Sequence, residues 1–134
     1  MGKLLARLQD ASRSGVYRAR RADEIMDAVK DSKLVRARIR FADKESLLRN
    51  IAAALDFPSW FGHNWDALED CLSDLPGEGH VLLIENAKAG DDLGVLIDVL
   101  RSSASSRAAR GKPFFAVFID PARELELPPL FTEK

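Results

Sequence analysis

Asp66, Asp70 and Asp74 stand at i, i+4 and i+8, and Glu69 lies beside Asp70. On a helix, that spacing stacks carboxylates along one ridge. Three kinds of chemistry use acids in this way. A close pair can act as general acid and base, as in a glycosidase. Carboxylates with a histidine can hold a divalent metal, and His63 is near in sequence. A ridge of one sign can also dock on a positive partner by imitating a polyanion. The first chemistry needs a cleft, and acids one turn apart on a convex helix face offer none. The second needs more ligands, and the chain has only two histidines and no second ligand cluster. No Walker loop, Rossmann fingerprint, His-Glu-x-x-His or Cys-x-x-Cys is present, so the sequence argues against an enzyme and implies no cofactor or metal. The third chemistry, binding, is the one that fits.

The charge distribution supports it. Residues 50–87 hold Asp56, Asp66, Glu69, Asp70, Asp74, Glu78 and Glu85 and no Lys or Arg, while the rest of the chain carries all 20 basic residues. Counted along the chain, residues 1–40 are +6 (11 basic, 5 acidic), 41–100 are −9 (3 and 12) and 101–134 are +2 (6 and 4), which sums to the net −1. Like charges at i, i+4 each cost a few tenths of a kcal/mol. Asp66 lies at the favourable end of the helix dipole and Asp74 at the unfavourable end. An ordinary wet face would interleave Lys or Arg. The partner this ridge expects is basic, such as a protein whose own ligand is a phosphate backbone.

The elements that must position these acids can be read from periodicity. At 100° per residue, Trp65, Ala67, Leu68, Cys71, Leu72 and Leu75 fall on one arc, and Asp66, Glu69, Asp70, Ser73 and Asp74 on the other. The spacing predicts a helix over 64–75 with Asn64 as N-cap. Cys71, the only cysteine, sits on the apolar arc as a buried small hydrophobe and excludes an intrachain disulfide. The loop before the helix holds Trp60, Phe61, Gly62 and His63. Trp60 reads as an exposed aromatic anchor, and Phe61 as either an anchor or a core plug. Gly62 reads as a backbone conformation that other residues resist, and His63 as a titratable group or simply part of the loop wall.

The rest of the chain alternates. Residues 3–11 suggest a short helix, 15–20 a strand, and 23–30 a helix capped by Asp23. Residues 34–41 alternate, with Val35, Ala37, Ile39 and Phe41 inward and Arg36, Arg38 and Arg40 outward. A helix follows over 44–55, capped by Asp43 and stopped by Pro58. A strand is expected at 80–85. A helix is expected from a cap at Asp91 or Asp92 to about Arg110, ended by Gly111. Residues 114–119 read as a strand covered on both faces. The tail from Pro121 is expected to be extended or disordered. The alternation predicts an α/β domain with a small, mostly parallel sheet of about four strands flanked by helices. Arg18, Arg20, Arg21, Arg36, Arg38 and Arg40 would form a basic strip able to touch RNA if the two strands that carry them were neighbours. Pairing with internal acids and solvation is the plainer account, and no direct nucleic-acid contact is expected.

The run Phe57-Pro58-Ser59-Trp60-Phe61-Gly62-His63-Asn64-Trp65-Asp66-Ala67-Leu68-Glu69-Asp70-Cys71-Leu72 resembles the signature of the barstar family of ribonuclease inhibitors. The resemblance covers about residues 34–120. It makes 1–33 an N-terminal extension (strand plus helix) packed on the same domain, and 121–134 a C-terminal tail. It implies that the acidic helix and its preceding loop enter a nuclease active site, where carboxylates replace RNA phosphates. By position, Asp70 would occupy the phosphate site, Asp66 would support it, and Trp60 would stack on the partner. Trp60, Phe61, Gly62, His63, Asn64, Asp66, Glu69, Asp70, Ser73 and Asp74 form the implied partner face. Glu69 and Leu75 stand where the family's best-studied pattern has aromatic contacts. The family's acid on the last helix has no match among Ser102 to Ser106.

The implied partner is a small secreted ribonuclease, or another basic toxin for which this chain would be the antitoxin or immunity protein. No secretory signal pattern is seen at Leu4, Leu5 and Arg7, and no apolar run approaches the ~20 residues of a membrane span. The expectation is a cytoplasmic protein, away from membranes and monomeric when free.

Overall fold

Two uninterrupted apolar runs, VLLI within HVLLIE and FFAVFI, occupy the centre of the sheet, because only a strand covered on both faces removes consecutive large side chains from water. The computed structural model describes residues 2–59, 61–88 and 90–130. In chain order the elements are α1 (Gly2–Leu8), a 3-10 turn (Ala11–Arg13), β1 (Gly15–Ala19), α2 (Asp23–Val29) and β2 (Val35–Arg40). They continue with α3 (Lys44–Ala54), α4 (Trp65–Ser73), β3 (His80–Glu85), α5 (Asp91–Ala108) and β4 (Phe114–Ile119). The four strands are all parallel, in the order β1-β4-β3-β2. His80 pairs with both Val35 and Phe114, so the central strands start in step with their neighbour. This is the α/β arrangement that the alternation of elements predicts.

Side-chain alternation divides the interior in two. Leu82, Ile84, Phe114, Ala116 and Phe118 point to the face covered by α3, α4 and α5, where Leu47, Leu48, Ile51, Leu68, Leu72, Leu96 and Leu100 meet them. Val81, Leu83, Phe115 and Val117 point to the opposite face, which Leu8, Ile25 and Val29 of α1 and α2 close. Residues 1–33 therefore contribute both an edge strand and the cover for a face that would otherwise expose four apolar side chains.

Several sequence expectations change. Asp23 is not the cap of α2: Ala22 is, with no side-chain cap bond, and Asp23 is the first helical residue. Neither Asp91 nor Asp92 caps α5, which starts after Gly90 in a left-handed conformation (φ 151°). Both acids lie in its first turn, where the helix dipole favours them. Val35 is 41 % exposed, because it opens an edge strand beyond the reach of the helices. β1 and β2 lie on opposite edges, separated by β4 and β3, so the arginines at 18–21 and 36–40 form no single strip. Arg38 instead makes a paired contact with Glu85 (3.2 and 2.9 Å), and Arg18 Nε donates to the Leu127 carbonyl (2.9 Å).

Residues 121–130 of the tail are extended but packed, and 131–134 lie outside the described residues. The buried Asp120 carboxylate accepts the amides of Glu124 (3.0 Å) and Leu125 (2.8 Å) and so turns the chain back. Arg18 and the 128–130 segment then exchange backbone bonds, Arg18 N to Pro128 O and Leu130 N to Arg18 O, both 2.9 Å. Leu127 and Leu130 are buried, one in each core. Asp120→Ala removes both amide acceptors and is expected to lower stability by about 1–3 kcal/mol. A urea unfolding curve with an unchanged slope and a lower midpoint checks this. An unchanged midpoint refutes the anchoring role.

Candidate functional site

α4 forms where a side-chain cap meets an apolar stripe. Asn64 Oδ1 accepts the Ala67 amide at 2.8 Å, and its Nδ2 donates to Gly62 O at 3.4 Å. Leu68, Cys71 and Leu72 are buried against the sheet and α5. Burial first, and the charges of Asp70 and Asp74 second, raise the Cys71 thiol above its ordinary value, so it stays a protonated core group.

The other arc is open. Asp66, Asp70 and Asp74 are exposed; Glu69 and Ser73 are half-buried. Among the described residues none of these four acids takes part in an ion pair or a side-chain hydrogen bond, although ion pairs occur elsewhere, for example Arg49 with Glu45 and Arg38 with Glu85. The ridge faces outward and is not covered by the protein's own arginines.

The loop ahead of α4 differs in detail from the expectation. Trp60 lies outside the described residues. Phe61 is 4 % exposed and sits edge-on to Phe57 (centroids 5.0 Å apart), so it plugs the core and supports the loop from beneath instead of offering its ring at the surface. Gly62 does not have a positive φ; the left-handed residue is His63 (φ 54°). A Cβ at 62 would lie 3.2 Å from Asn64 Nδ2, a tight contact that the capping side chain would have to shift to relieve. His63 is exposed, with its ring 4.9 Å from that of Phe61. Among the described residues no group of three His, Cys, Asp or Glu side chains is arranged to hold a metal ion.

At the far end of α4 lies a buried cation. Arg107 of α5 is fully buried. Its Nη1 donates to Leu75 O, and its Nη2 reaches Gly77 O (3.4 Å) and His80 Nδ1 (3.2 Å). Arg110, exposed one turn later, donates from Nη1 to Ser73 O at 3.1 Å. The carbonyls around the end of α4 are thus met by two guanidinium groups, one from α5 and one from the turn that follows it. The signal was available: Leu93, Leu96, Leu100, Ser103 and Arg107 recur at helical spacing along one buried stripe of α5.

With this geometry in place, comparison with known proteins is informative. The family model described as "Barstar (barnase inhibitor)" matches residues 33–119, well over half of the chain. The chain belongs to the barstar family. That membership suggests a barnase-type ribonuclease-inhibitor role, and the family's members are inhibitors, not enzymes. A search of curated proteins returns no match. The matched span takes in β2 to β4 and α3 to α5, including the acidic ridge; α1, β1, α2 and the tail lie outside it. Among the described residues no helix is long and apolar enough to cross a membrane.

His80 makes a pH prediction possible. Burial, then the charges of Arg107 and Lys112, push its imidazole from the ordinary 6.5 down to about 4. The unfolded chain therefore takes up this proton first as pH falls. Stability supplied by the neutral imidazole is complete above pH 6.5 and is lost progressively between 6.5 and about 4. At ~1.4 kcal/mol per unit, the loss is on the order of 3 kcal/mol. Denaturation of the parent and His80→Gln at pH 7, 5.5 and 4 is expected to show a shallower pH dependence in the variant. Equal slopes refute the assignment.

Proposed function

We propose that this protein is an inhibitor that inserts its acidic ridge into the active site of a small basic ribonuclease and blocks it by imitating RNA phosphates. The observation that carries this reading is the open row of Asp66, Glu69, Asp70 and Asp74, outward-facing and without partners among the described residues, on the helix that bears the family motif. An unpaired carboxylate on a rigid helix is already shaped for a guanidinium or ammonium of the partner, so little side-chain ordering remains to oppose binding. In this reading Asp70 enters the phosphate site, Asp66 supports it from the preceding turn, and Glu69 and Asp74 widen the negative field that guides encounter. Gly62, His63 and Asn64 present the loop edge, Trp60 stacks on the partner, and Ser73 lines the rim, with Phe61 beneath. The protein itself does no catalysis, contacts no nucleic acid directly, and works in the cytoplasm as a monomer until its target arrives. The segments 1–33 and 121–134 are additions to a 34–120 inhibitor domain.

The test is a panel of small guanyl-specific ribonucleases assayed with and without the protein. At least one is expected to be inhibited stoichiometrically. Asp70→Ala is expected to weaken that complex mainly through faster dissociation, by on the order of 2–5 kcal/mol, a general range to which the barnase–barstar complex itself contributes. Glu69→Gln is expected to slow association instead, and more so at low salt. Full inhibition by Asp70→Ala refutes the phosphate-mimic role, and association by Glu69→Gln that is unchanged at low ionic strength refutes the steering role.

A further inference from the structure

α4 ends badly on its own terms. It has only nine residues, no basic residue in its last turn, and an aspartate, Asp74, at its C-cap. Its terminal carbonyls carry the negative end of the helix dipole, and Asp70 and Asp74 add charge of the same sign beside them. A helix of this length frays unless its end is held.

The holding groups come from α5 and the turn just after it. Among the described residues no carboxylate touches Arg107, and Asp74 and Glu78 act on it only at a distance. Burying a charge without an ion partner is costly, and Met or Leu would fill similar space with no such cost. What the guanidinium supplies and an apolar side chain cannot is a fork of donors. That fork spans the Leu75 carbonyl, the Gly77 carbonyl and the His80 ring, and so joins the end of α4, the following turn and the start of β3. Gly77 has φ 100°, a left-handed geometry that turns its carbonyl within reach. Arg110 adds a second donor at Ser73 O from the solvent side.

The geometry points to Arg107, with Arg110, as a positioning residue for the acidic ridge: a latch from the C-terminal end of α5 and the turn after it that holds the C-terminal half of α4, with Asp70 and Asp74, in one orientation. The inference rests on the inhibitor reading for its purpose, but its structural content concerns the free protein alone.

The experiment is amide hydrogen exchange on the free parent protein, Arg107→Met and Arg107→Lys, followed by binding to whichever ribonuclease of the panel the parent inhibits. In Arg107→Met, amides at the end of α4 (Cys71 to Leu75) are expected to exchange at least tenfold faster, while those of α3 and β4 change only with overall stability. Arg107→Lys, which keeps the charge and loses the fork, is expected to recover only part of that protection. Dissociation from the ribonuclease is expected to quicken about tenfold in Arg107→Met at temperatures where the variant is folded. Uniform acceleration across the protein overturns the latch in favour of general core packing, as does complete rescue by lysine. Local acceleration with unchanged dissociation overturns its link to binding. Should the parent inhibit no ribonuclease, the inhibitor reading fails while the exchange data still decide the latch. Should Arg107→Met not fold, Arg110→Gln on the exposed side reads the same amides, and no change at Asp74 and Leu75 there counts against the proposal.

Discussion

Like charges crowded on a short helix repel, and the architecture here follows from how that repulsion is outweighed without being neutralised. The pairs Asp66–Asp70 and Asp70–Asp74 each cost a few tenths of a kcal/mol. Leu68 and Leu72, fully buried on the opposite arc of the same helix, each contribute about 1.5–3 kcal/mol through removal from water. Packing on one side therefore wins by several-fold over repulsion on the other. The acids need no lysine or arginine beside them to keep the helix formed, and they remain available to an outside partner.

Local geometry sharpens this division of labour. Asn64 fixes where the helix begins, and His63 takes the left-handed conformation that lets the chain enter it. Phe61 ties the loop to the core through Phe57. At the opposite end the carbonyls turn towards guanidinium groups and away from water. Both termini are thus tied to side chains.

Much of this was legible in the sequence, and the misses share a cause. The boundaries of β3 and β4 and the cap at Asp43 follow directly from apolar runs and turn residues, because those signals are local. The two-arc division of α4 and the Asn64 cap are local for the same reason. Caps proposed at Asp23 and Asp91 or Asp92 failed because an acid in the first turn and an acid at the cap look alike in composition; only backbone angles separate them. Gly62 was credited with the strain that His63 bears, since glycine is the usual bearer. Arg107 reads as one more surface cation unless its place on the apolar stripe of α5 is noticed. The anchoring of the tail depends on Asp120 meeting amides four and five residues later, and no periodicity marks that.

The parallel sheet has two margins, and the protein treats them differently. Beside β1 the returning 128–130 segment occupies the outer hydrogen-bonding positions, so that flank is spent on the chain's own residues. Beside β2 no further strand pairs among the described residues; Arg36, Arg38 and Arg40 alternate along it, all exposed, with Arg38 held by Glu85 and the Arg40 carbonyl accepting Asn50 Nδ2 (3.3 Å). A second molecule adding a strand there would bring these arginines against their own copies and displace the Asn50 contact, so this flank discourages self-association and fibre growth.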